Sequence, residues 1–124
     1  GKAVRSASDL SPQEAEVYID GLIHFGLYPI VYRRIAERYP SIPAEKAEQI
    51  AAVLESKGLY GDSMRLTALA LRNQGTAPTD AQLRRFSAKA ARSGVSIHPA
   101  ALWTGGTVLI FYAAKIPYHS AIPI

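Results

Sequence analysis

The stretch PAEKAEQIAAVLESKGLYGDSMRLTALALRN, residues 43–73, decides the fold. After Pro43, which suits a helix start, Ala47, Ile50, Ala51 and Leu54 fall on one side of a 3.6-residue repeat. Gly58 is the residue type that ends such a helix, because it enters the left-handed region without a Cβ penalty. Asp62 reads as the cap of a following helix that runs to about Asn73 and turns Leu66, Leu69 and Ala70 inward, with Gly75 as its stop. Two striped helices joined by a short glycine turn predict an antiparallel hairpin.

The same layout occurs once more upstream. Ser11-Pro12-Gln13-Glu14 carries a capping-box pattern, with proline in the first turn. Ala15, Tyr18, Ile19 and Leu22 follow at helical spacing, and Gly26 supplies the stop. A second helix is predicted from Pro29 to Tyr39, with Val31, Ile35 and Tyr39 on one side and Pro40 blocking continuation. Downstream, Thr79 or Asp80 opens a fifth helix that buries Leu83, Phe86 and Ala90 and closes at Gly94.

Gly26-Leu27-Tyr28 recurs as Gly58-Leu59-Tyr60, 32 residues later. Leu22 then matches Leu54, Arg33 matches Arg65, and Ala36 matches Ala68. Over residues 12–73 this resembles the tetratricopeptide pattern, carried here by Gly58, Tyr60, Ser63, Ala70 and Leu71. The period of 32 departs from that family's 34, and Val31 and Arg38 stand where it has small residues. The resemblance implies stacked helical hairpins and a protein-binding, adaptor-like role.

The last thirty residues read differently. Thr107 to Tyr112 is β-branched and aromatic, which fits a buried strand or a short buried helix, and Pro117 and Pro123 keep the tail extended. The overall expectation is a mainly α protein of about five helices in antiparallel hairpins, with a short C-terminal β or extended segment. It is read as a single helical domain over 1–124, with 95–124 as an appendage. Trp103 and residues 107–124 carry enough apolar surface to pack on the helices or to form a homo-oligomer contact.

The chain of 124 residues has no cysteine, which excludes disulfides, thiolate catalysis and thiolate metal sites. No signal peptide is visible, and the longest apolar stretch, Ala100 to Ala114, is shorter than the ~20 residues of a bilayer span. A cytoplasmic chain without a membrane span is therefore expected. His24, His98 and His119 have no metal-ligand spacing, and no Gly-x-Ser-x-Gly elbow, Walker loop or dinucleotide fingerprint is present. No cofactor or metal is expected.

Charge is the strongest functional signal. Residues 1–62 hold 7 basic and 9 acidic side chains, whereas residues 63–124 hold 7 basic and 1 acidic. No acid follows Asp80. Arg85, Lys89 and Arg92 recur at spacings of four and three on the fifth helix, with Arg84 beside them, and Arg65 and Arg72 lie two turns apart on the fourth. These six are the candidate partner-binding residues, since guanidinium and ammonium groups pair with carboxylates or phosphates. The leading expectation is a non-enzymatic, adaptor- or chaperone-like binding module that contacts an anionic or protein partner, an acidic protein among them, through this basic face. The alternative is nucleic-acid binding through the same cations, although no aromatic residues interleave with them.

A third reading is enzymatic. Tyr28-Pro29-x-x-Tyr32, Ile42-Pro43 and Ile50-Ala51…Glu55-Ser56 resemble the approach to the catalytic acid of soluble lytic transglycosylases. The resemblance implies Glu55 as the residue that protonates a glycosidic oxygen. That family continues with a Gly-Leu-Met-Gln segment, where this chain has Gly61-Asp62-Ser63-Met64-Arg65-Leu66.

Overall fold

The computed structural model describes residues 10–94, which contain five α-helices and one 3-10 turn. Their contacts gather into two compact units that divide between Ile42 and Pro43. The strand-or-helix reading of 107–112, the 95–124 appendage and the homo-oligomer contact through 107–124 lie outside the described residues.

In the first unit, α1 spans Pro12–His24, the 3-10 turn Tyr28–Ile30, and α2 Val31–Arg38. The capping box forms as read. Glu14 N donates to Ser11 Oγ at 3.2 Å, and Ser11 N donates to Glu14 Oε1 at 3.0 Å. Two of the free amides at the helix start are thereby satisfied. Ala15, Ile19 and Leu22 of α1 are buried, as are Val31, Tyr32 and Ile35 of α2 and Tyr39 just beyond it. The predicted second helix is thus shortened, because residues 28–30 tighten into the 3-10 turn before the α-helix starts. Tyr39 donates its hydroxyl to Glu16 Oε2 at 3.0 Å. Burial, and then the Glu16 carboxylate, push that hydroxyl's pKa up. The Arg38 guanidinium stacks over the Tyr18 ring at 4.9 Å, a cation–π contact between the two helices.

In the second unit, α3 spans Ala44–Ser56, α4 Tyr60–Asn73 and α5 Asp80–Arg92. The helix α4 packs against both α3 and α5. Every residue from Asp62 to Leu71 on it is buried. The sequence stripe anticipated only one face. Asp62 is also not the cap: α4 begins at Tyr60, which places Asp62 in the first turn. There an acid complements the helix dipole instead of capping an amide. Burial nevertheless pushes its pKa up, against the opposing pull of Arg65. The α5 cap forms at Thr79, whose Oγ1 accepts from Gln82 N at 3.1 Å, while Gln82 Oε1 accepts from Thr79 N at 2.9 Å.

The recurring Gly-Leu-Tyr is a repeated turn. Gly26 and Gly58 have φ of 75° and 78°. Leu27 N donates to Leu22 O at 2.8 Å, and Leu59 N to Leu54 O at 3.0 Å. Gly26 N reaches Ile23 O, and Gly58 N reaches Glu55 O. Both are Schellman closures, with leucine at the two positions whose side chains accompany that motif. Beyond the turn the two copies share buried positions, Val31 with Ser63, Tyr32 with Met64 and Ile35 with Thr67, and differ at others. Arg33 and Ala36 are exposed, whereas Arg65 and Ala68 are buried, and α2 has 8 residues against 14 in α4.

A charged groove between α3, α4 and α5

The site grows from the contact of α3 with α4. Ala47 and Ala51 on α3 and Ser63 on α4 are small and fully buried. Ser63 Oγ donates to the Ala51 carbonyl at 2.8 Å, so the hydroxyl reaches across to the backbone of the neighbouring helix. Lys89 Nζ on α5 donates to that same Ser63 oxygen at 3.2 Å. One buried hydroxyl thus links all three helices of the unit.

The α3 and α5 helices present matching columns across this link. Glu48, Ala52 and Glu55 recur at four and three residues on α3, as Arg85, Lys89 and Arg92 do on α5. Arg92 Nη1 lies 3.0 Å from Glu55 Oε1. Glu48, Thr67, Arg85 and Lys89 line a groove of about 170 Å³, with Ala52 and Leu71 as its apolar wall. Burial, chiefly, lowers the Lys89 pKa; Arg85 and Arg92 lower it further, while Glu55 and Glu48 oppose them.

The candidate residues therefore divide. Arg84, Arg85, Lys89 and Arg92 share α5. Arg84, Arg85 and Arg92 are exposed, and Lys89 is half-buried in the groove. The sequence suggested that no acid neutralises this face, because α5 itself has only Asp80. Acids on α3, 37 residues from Arg92 in the case of Glu55, supply that neutralisation. Arg65 does not share the face. It is 6% exposed, and its Nη1 lies 3.9 Å from Asp62 Oδ1. Packing on both sides of α4 encloses it, so it is not available to a partner. Arg72, in the last turn of α4, is half-buried. Glu55 spends Oε1 on Arg92, whereas a general acid must carry a proton on the oxygen that faces substrate.

Sequence reasoning missed Glu48, Ser63, Thr67 and Gln82, the last of which also lines the groove. The signal for Glu48 was present: Glu48 and Glu55 lie seven residues apart on one helix, as Arg85 and Arg92 do on another. His24 is exposed and meets Phe25 edge-on at 5.0 Å. Among the described residues no group of three potential metal ligands occurs, and no helix is long and apolar enough to cross a membrane.

The Lys89 shift has a measurable consequence. Its folded pKa lies below the ordinary 10.5, so between those two values the unfolded chain holds the proton more often. The Lys89 contribution to stability therefore rises with pH through that interval, and a cost is carried below it. Denaturant melts as a function of pH should show this rising component in the wild type and not in Lys89→Met. Identical pH profiles for the two proteins would refute the assignment.

No family model, curated protein or solved structure matches the chain.

Proposed function

We propose that the protein is a non-enzymatic, adaptor-like binding module that takes an acidic protein segment on the outer side of α5. The observation that carries this reading is the exposed pair Arg84 and Arg85, consecutive on a helix whose one acid, Asp80, sits at its start. Each exposed guanidinium offers a fork of N–H donors to a carboxylate, and Asp80, four residues before Arg84, is the one acid on α5 spaced to compete for it. Glu48 and Glu55 stand behind the same helix and reduce its net positive charge. That suits a short acidic segment better than a polyphosphate backbone, which gains from an unbroken basic track. Glycan cleavage at Glu55 is the weakest of the three readings, because its carboxylate is paired with Arg92.

The test uses Arg84→Glu/Arg85→Glu, which leaves the buried link and the Glu55 pair intact. A fluorescent poly-glutamate peptide should bind the wild type, and the double variant should lose that binding. Stability should change by no more than roughly 0.5 kcal/mol, as is usual for surface positions. Unaltered peptide binding by the folded variant would overturn the reading. An oligothymidylate that binds tighter than the peptide, with a log–log salt slope near −0.7 per phosphate contact, would establish the nucleic-acid alternative.

A further inference from the structure

The groove between α3, α4 and α5 holds an arrangement of charge of which partner binding on α5 uses only Arg85. Glu48 of α3 lines it together with Arg85 and Lys89 of α5. Among the described residues the Glu48 and Arg85 side chains make no hydrogen bond or ion pair, and Lys89 spends one of its three N–H groups, on Ser63. Both signs of charge therefore face one small space with most of their hydrogen-bonding capacity unused.

A third group adds to this. Thr67, which also lines the groove, is 6% exposed, and its Oγ1 has no hydrogen-bond partner. A buried hydroxyl without a partner is uncommon in folded proteins and costs free energy. A threonine in mid-helix often turns this group toward the carbonyl four residues back, and here it does not. Against these polar groups stand Ala52 and Leu71.

We propose that this groove is a binding site for a free α-amino acid with an apolar side chain. The ammonium group pairs with Glu48, the carboxylate with Lys89 and Arg85, and the side chain lies against Ala52 and Leu71. The Thr67 hydroxyl gains a partner in the bound state. Only a ligand that carries both charged groups, as an α-amino acid does on one carbon, meets all three ionic side chains. A phosphate or simple carboxylate leaves Glu48 facing an anion, and a simple amine leaves two cations unmatched. The size agrees: about 170 Å³ is close to the roughly 150 Å³ of an engineered cavity that holds benzene. That is room for the side chain of leucine or phenylalanine and not for a folded peptide. This site shares Arg85 with the acidic-partner reading and differs from it in using Glu48, Thr67 and Lys89 and not Arg84.

The experiment is calorimetric titration of the full chain with L-leucine, 4-methylpentanoate and 3-methylbutylamine, which share a branched alkyl group and differ in charge. L-leucine should bind saturably and roughly tenfold or more tighter than either analogue, the worth of one charge-assisted hydrogen bond. Glu48→Gln should weaken leucine binding while 4-methylpentanoate, relieved of a facing carboxylate, binds no less tightly than to the wild type. Thr67→Val keeps the shape of the side chain and removes the orphan hydroxyl, so the free protein should melt no lower while leucine binds less tightly. Arg84→Glu should leave leucine binding intact, which separates failure of this site from failure of the outer face. The proposal is overturned if leucine, valine and phenylalanine all fail to bind saturably, if 4-methylpentanoate binds as well as leucine, or if Glu48→Gln changes nothing.

Discussion

Replacing Phe86 by alanine is expected to cost about 3–5 kcal/mol, the range for removing a fully enclosed aromatic ring. Phe86 is 0% exposed and is the largest of the wholly buried side chains. With Leu83 and Ala90 it forms the face that α5 buries. The consequence reaches the site. The groove exists because α5 is held where Arg85 and Lys89 oppose Glu48. Loosening α5 separates those charges before α3 and α4 come apart. Hydrogen exchange should therefore accelerate in 80–92 more than in 44–73, and binding at the groove should fall with it. A loss below about 1 kcal/mol in a urea melt would mean that α5 is held by something other than this ring.

Leu54→Ala should cost about 2–5 kcal/mol. Leu54 is 0% exposed, ends the α3 stripe, and gives its carbonyl to Leu59 N in the Schellman closure at Gly58. Its side chain stands at the position that accompanies that closure with Leu59, so truncation removes core volume and weakens the turn that aims α4. A change within half a kcal/mol would remove the basis for α3 and α4 as the central hairpin.

Much of the fold was legible because its determinants are local. Ser11 with Glu14, and Thr79 with Gln82, act within three residues, and both capping boxes close. Gly26, Gly58, Gly75 and Gly94 all take positive φ at helix ends. Where the reading failed, a neighbouring segment had intervened. Asp62 looks like a cap because caps are usually polar, yet the closure at Gly58 is tight enough to start α4 at Tyr60. Residues 28–30 look helical, yet they are wound as a 3-10 turn.

The site was half legible. The basic column Arg85, Lys89 and Arg92 follows from its spacing alone, since a helix brings residues four and three apart onto one side. Its inward aim and its partial neutralisation do not.

By itself, then, the sequence determined that five helices form, where they stop, where α1, α3 and α5 start, and which side of every helix but α4 is apolar, because capping, glycine turns and 3.6-residue periodicity are properties of short segments. Only the tertiary structure decided that α4 is enclosed along its length with Arg65 inside it, that Ser63 joins three helices through one hydroxyl, and that Glu48 and Glu55 face the α5 cations. Those outcomes depend on which helix packs against which, and Glu55 and Arg92 meet across 37 residues of chain. No local rule reaches that far: the pairing is fixed by the burial of apolar faces, and the charges go where those faces carry them.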